Sequence, residues 1–219
     1  MKHRYFQIGF NRAGTSSLAE LLERQGLVTI HHDVQRDGSL VNVALKLEEN
    51  LKNGAPPLQG FDDIDAFTDI EYVSKEHVFE GNRCFREIAK AYPEMKFVLN
   101  LRPKEDWLKS RLAFGDYPDR WMACHSIDRS QLIEMWSEHW DRQIADVRAE
   151  LPSERLLEYD IVNPNHDQVA EFFGLDGSAT LRVRNKSVNG RLARSAQKIL
   201  PGWLVRLVPN HIKNMLKDI

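Results

Sequence analysis

The segment Gly9-Phe10-Asn11-Arg12-Ala13-Gly14-Thr15-Ser16-Ser17 gathers residue types that bind an oxyanion. Gly9 and Gly14 have the spacing of a Walker A loop, GxxxxGK[ST], and lie between a β-rich run and a helical run, as that loop must. Thr15 stands where that motif has its lysine. A strand-to-helix turn still aims backbone N–H groups and the positive helix end at one anion, and Thr15, Ser16 and Ser17 add hydroxyl donors. A phosphotransferase would use the missing lysine on its outer phosphates and an acidic residue at a strand end to hold Mg2+. Here the strong strand pattern KFVLNL ends in Arg102. Arg12, the hydroxyl-rich turn and Arg102 therefore suit an anion bound without a metal. Taken alone, the loop also reads as a solvated turn capped at Thr15.

Proton transfer needs a group that titrates near working pH. The His31-His32-Asp33 run follows the second β-prone segment, and His32 is the first choice of base. Asp69, closing AFTDI at 66–70, would project from the same carboxyl edge; its other reading is a helix or turn cap. His125 and His139 have weaker cases, since the WSEHW context of His139 reads as packing. The histidine pair also has the residue type for a metal, but no further Cys/His pair shows ligand spacing, so no metal site is expected.

Alternation of strand and helix patterns must position these groups. RYFQIGF at 4–10 reads as a strand, SSLAELLERQG as a helix stopped at Gly26, and LVTI at 27–30 as a strand. Residues 39–54 read as a helix, AFTDI as a short strand, and FREIAKAYP at 85–93 as a helix closed by Pro93. KFVLNL at 96–101 is the clearest strand, followed by a helix at 103–112, a long helix at 129–151, the strand RLLEYDI and the helix DQVAEFFG. This order predicts a three-layer α/β domain with a mainly parallel sheet. No repeat or flexible linker splits residues 1–219, so a single domain is expected, with 177–219 as a loop and helical extension.

Net charge is −2, from 30 basic and 32 acidic residues, so the whole-molecule field attracts neither nucleic acid nor an anionic membrane. No stretch approaches the roughly 18 apolar residues of a membrane span. Gln7, Asn11 and Arg12 break the N-terminal apolar run too soon for a signal peptide. Cys84 and Cys124 fit neither a metal motif nor a disulfide framework, so reduced thiols and a cytoplasmic location are expected. The C-terminal run KILPGWLVRLVPNHIKNMLKDI is expected to pack on the domain; an interfacial helix or a homodimer arm stays open.

The sequence resembles the sulfotransferases that use 3′-phosphoadenosine 5′-phosphosulfate (PAPS). Their 5′-phosphosulfate loop is matched by Arg12-Ala13-Gly14-Thr15-Ser16-Ser17-Leu18, with Arg12 in place of the commoner lysine. Their 3′-phosphate element, an arginine ending a strand and a serine eight positions on, is matched by Arg102 and Ser110. A looser likeness to the short bacterial members runs over roughly residues 4 to 175. The resemblance implies a P-loop NTPase-like fold and sulfuryl transfer from PAPS to a hydroxyl or amine of a small-molecule or glycan acceptor, with 3′-phosphoadenosine 5′-phosphate (PAP) as product. It implies that Arg12 gives electrostatic help rather than a proton, that Asp69 matches an aspartate of related bacterial members, and that an NKS-like loop at Arg184 to Ser187 brings Lys186 to the nucleotide. A phosphotransferase on the same fold and a non-catalytic nucleotide-binding module are the alternatives. The acceptor is not legible, because loops such as 55–65 and 113–128 would shape its pocket.

Overall fold

A computed structural model describes residues 4–174 of the chain. Lys186 and the extension at 177–219 lie outside the described residues.

Five short parallel strands form the frame: β1 (Tyr5–Gln7), β2 (Thr29–His31), β5 (Ala66–Thr68), β8 (Lys96–Leu101) and β9 (Leu156–Asp160). Two antiparallel strands, β3 (Asp33–Arg36) and β4 (Ser39–Asn42), extend the sheet at one edge, giving the order β4-β3-β2-β5-β1-β8-β9. A separate hairpin pairs β6 (Glu71–Val73) with β7 (Val78–Glu80). The chain leaves β1 toward β2 and β5 on one side and later returns to β8 on the other. The ends of β1, β5 and β8 thus flank a switch-point crevice, where open α/β sheets bind ligands.

The period-2 alternation of the strands feeds two cores. Phe6, Phe67, Phe97 and Leu99 face α2 (Val43–Lys52), α3 (Phe85–Ala91) and the far half of α6 (Arg129–Glu150). Tyr5, Ala66, Val98 and Leu157 face α1 (Thr15–Arg24) and α7 (His166–Phe173), where Leu18, Leu21, Leu22, Val169 and Phe173 are buried. This is the expected three-layer α/β arrangement. A third, aromatic core at the carboxyl end joins Phe10 to α4 (Lys104–Leu112), α5 (Tyr117–His125) and α6 through Trp107, Tyr117, Trp121, Trp136 and Trp140.

Several boundaries depart from the sequence reading. The first strand stops at Gln7 rather than residue 10, because the loop begins there. The expected helix at 39–54 is a strand for its first four residues, and Asn42 then caps α2 by accepting from the Leu45 N–H at 3.1 Å. The hairpin of β6 and β7 was not foreseen, and α5 lies in the stretch read as an acceptor loop. The other such loop, 55–65, buries Leu58, Phe61 and Ile64, so much of it plugs the core. Both cysteines are free thiols, and burial pushes Cys84 up to about 12. No helix among the described residues is long and apolar enough to cross a membrane.

Candidate active site

The loop after β1 is held from outside by donors on its carbonyl groups. Asn100 of β8 donates from Nδ2 to Ala13 O at 2.7 Å and to Phe10 O at 3.4 Å. Trp107 Nε1 donates to Asn11 O at 2.9 Å, and Arg102 Nη1 to Arg12 O at 3.2 Å. All four carbonyls from Phe10 to Ala13 are thereby engaged on the β8–α4 side. The first N–H groups of α1 have no intrahelical partner and are available to an anion. Buried Gln7 extends the brace: its Nε2 donates to Asn100 Oδ1 at 2.5 Å, and its Oε1 accepts from the Asp69 N–H at 2.7 Å. Two buried side-chain amides therefore tie the ends of β5, β1 and β8 to one loop.

The glycines have distinct reasons. Gly14 caps α1 at φ 85°, and a Cβ there would come 2.9 Å from Ile161 Cγ2. Gly9 runs so close to β8 that a Cβ would lie 2.5 Å from the Asn100 carbonyl oxygen.

Two cationic elements meet at this turn. Arg12 has a left-handed backbone, φ 63°, and its Nε donates to Ser110 Oγ at 3.3 Å. The residue expected at the 5′ end and the serine expected at the 3′ end are therefore in direct contact. Burial, then the neighbouring Arg102, lowers the Arg12 pKa, while Asp69 opposes this; the guanidinium stays charged.

The expected bases, His32 and Asp69, form one unit rather than two options. His32 Nε2 lies 3.0 Å from Asp69 Oδ2, and both residues sit at positive φ, 70° and 56°. Such backbone strain persists only where surroundings enforce it, and it clusters at functional sites. Burial works against the imidazolium, but the hydrogen bond and charge of Asp69 outweigh it and raise His32 to about 9. Burial would likewise raise Asp69, yet His32, His31 and the Thr15 hydroxyl hold its carboxyl below the ordinary value. Thr15, in the lysine position of the Walker pattern, thus directs its hydroxyl to a carboxylate.

His31 links this pair to the loop. Thr68 donates its hydroxyl to Ile30 O at 3.0 Å, so it accepts from His31 Nδ1–H at 3.0 Å. His31 Nε2 then accepts from Ser16 Oγ at 3.5 Å. Burial, its leading influence, lowers the His31 pKa and keeps it neutral. Ligand atoms of His31, His32 and Asp69 lie within 4.8 Å of one another, a grouping hidden in the sequence because Asp69 arrives on β5. Each of the three has hydrogen-bond partners of its own in the described residues.

Sequence reasoning missed the wall behind the loop. Glu71 accepts from Asn11 Nδ2 at 2.7 Å and from the Tyr117 hydroxyl at 3.0 Å; burial, then Asp69, raises it to about 8. Deeper still, Arg111 is fully buried and donates from Nη2 to Glu80 Oε1 at 2.7 Å and to Tyr117 Oη at 2.6 Å. The only signal was TDIEY, the run that supplied Asp69.

With this geometry in view, the likeness to known proteins can be stated. A family model described as a sulfotransferase domain matches residues 5–122, more than half of the chain, and the chain belongs to that family. A sulfotransferase from Alicyclobacillus acidocaldarius has the same fold, with a TM-score of 0.51 at 12% identity over 88% of this chain and 90% of that one. A gluconokinase from Sinorhizobium meliloti 1021 aligns with a TM-score of 0.40 at 13% identity, over 79% of this chain and 90% of its own. No curated protein matches.

Proposed function

We propose that this sulfotransferase-family protein takes its sulfuryl group from PAPS and passes it to a hydroxyl or amine of a small-molecule or glycan acceptor in the cytoplasm, releasing PAP. The observation that carries the reading is the junction of two phosphate elements from neighbouring strands. Arg102 binds the Arg12 carbonyl at 3.2 Å, and the Arg12 side chain reaches Ser110 at 3.3 Å.

In the reaction, the acceptor oxygen or nitrogen forms a bond to sulfur as the bond from sulfur to the 5′-phosphate oxygen breaks. The electron pair leaves with PAP, and its charge is met by the loop N–H groups, the N-terminus of α1 and Arg12. The acceptor proton passes to neutral His32, and Asp69 stabilises the imidazolium that forms. A base of pKa about 9 is mostly protonated at neutral pH, so the neutral form is the minority state that reacts. In this reading Thr15 orients Asp69, while Ser16 and Ser17 sit on the first turn of α1 for the phosphosulfate. Lys186 remains a proposed nucleotide contact on the resemblance alone.

Calorimetry with PAP against ATP plus Mg2+ tests the donor class. Saturable, tighter binding of PAP supports the reading; tighter binding of ATP with Mg2+ replaces it with a phosphotransferase. PAP binding without turnover across a broad acceptor screen would leave a binding module.

A further inference from the structure

We propose that Phe114 is a positioning residue for Arg12, and that through it the protein distinguishes nucleotides with a 3′-phosphate from those without one. The inference rests on the PAPS reading and adds a residue that neither phosphate element contains.

Arg12 belongs by sequence to the 5′ loop, yet its side chain serves the other end of the nucleotide site. Its guanidinium carbon stands 4.5 Å from the centroid of the Phe114 ring, while Nε is on Ser110 Oγ. Its backbone is fixed separately, by the left-handed turn and by Arg102 on its carbonyl. Backbone fixation cannot choose a rotamer for so long a side chain, which loses up to about 2 kcal/mol of rotamer entropy on ordering. The ring face and the serine hydroxyl make that choice.

Phe114 itself is anomalous as a structural residue. It is 43% exposed in the connection between α4 and α5, one of four large apolar side chains left in water among the described residues. Its N–H is tied to Arg111 O at 3.2 Å, and its ring packs on that of Tyr117, centroids 5.7 Å apart. The aromatic core therefore steadies the ring while part of it stays open. A cation over an aromatic face at an exposed site is worth about two- to five-fold in an equilibrium. An arginine held on Ser110 adds a third positive donor set beside Arg102, at the place where a 3′-phosphate would bind. It contributes nothing there to a nucleotide lacking that group.

Calorimetry on the full chain, with PAP and with adenosine 5′-phosphate as probes, tests this. Phe114→Leu keeps the apolar volume and removes the π face. It is expected to weaken PAP about two- to five-fold and to leave adenosine 5′-phosphate unchanged, so that selectivity falls by the same factor. Phe114→Tyr should retain wild-type selectivity. In an Arg12→Ala background, Phe114→Leu should add no further loss. Equal weakening of both nucleotides, an undiminished effect without Arg12, or wild-type selectivity in Phe114→Leu would each overturn the inference while leaving PAP binding established. A wild-type protein that binds neither nucleotide would overturn the donor reading, and this inference with it. Melting temperatures of the variants within a few degrees of wild type confirm that folded proteins are compared.

Discussion

Asp69 Oδ2 and His32 Nε2 meet at 3.0 Å across the ends of two adjacent parallel strands, each on a residue at positive φ. The pairing replaces two competing expectations, a histidine base rising through about pH 6 to 7 or an aspartate base at lower pH, with one coupled base. Because His32 is raised to about 9, turnover at saturating donor and acceptor should climb with pH through 7 and level off near that value. Asp69→Asn removes the charge and the hydrogen bond that hold the proton, leaving burial to lower His32. Its midpoint should move to lower pH and its plateau should fall. A wild-type rate that is flat from pH 7 to 10, with chemistry rate-limiting, sinks this assignment.

Arg102 is the side chain through which strand β8 addresses the anion site, since it follows Leu101 directly and already binds the loop at Arg12 O. A charge-assisted bond to a 3′-phosphate would be lost in Arg102→Ala, weakening PAP by about 1.5 to 3 kcal/mol. Adenosine 5′-phosphate should lose less. Calorimetry reads both, and an unchanged PAP affinity in a folded variant removes the 3′ assignment.

The frame and the loop were legible because each parallel strand is followed by a helix with a clear period, as with Leu18, Leu21 and Leu22 of α1. The three- and four-residue strands were not, since so short a run cannot display an alternation. A usable signal was nevertheless present: Asp37-Gly38 joins Arg36 to Ser39 in a two-residue hairpin, a strong turn pair. The side chains that complete the site were hidden for a different reason. Gln7 and Asn100 are 93 residues apart, and Arg111 and Glu80 are 31 apart; only the packed sheet and helices bring them together.

Gly14 is constrained twice, by φ 85° and by Ile161 Cγ2 at 2.9 Å from an added Cβ. Gly14→Ala should cost about 1 to 3 kcal/mol from backbone strain and overpacking. The loop should also lose its anion geometry. Denaturant unfolding and PAP calorimetry check the two effects, and an alanine variant with wild-type values in both would show that the turn tolerates a side chain.

Arg111 supports the last prediction, which concerns stability. Its guanidinium is wholly buried, with Glu80 on one nitrogen and the Phe10, Trp107, Tyr117, Trp121 and Trp136 rings 4.6 to 5.5 Å from its central carbon. Nε and Nη1 have no hydrogen-bond partner, so the π faces stand in for acceptors. Burial would raise Glu80, but Arg111 and then His139 depress it to about 2. Arg111→Met fills most of the space and strands that carboxylate, which should destabilise the fold by about 3 to 5 kcal/mol at pH 7. Adding Glu80→Gln removes the stranded charge and should recover much of the loss. A depressed carboxylate stabilises above its unfolded value of 4.5 and loses that contribution as pH falls toward 2. In Arg111→Met the Glu80 pKa rises, so protonation relieves the variant at a pH where wild type is losing stability. The gap between the two urea midpoints should therefore narrow from pH 6 to pH 3. A gap that widens, or a double variant less stable than Arg111→Met, would mean that the cage is held by its rings and not by this charge pair.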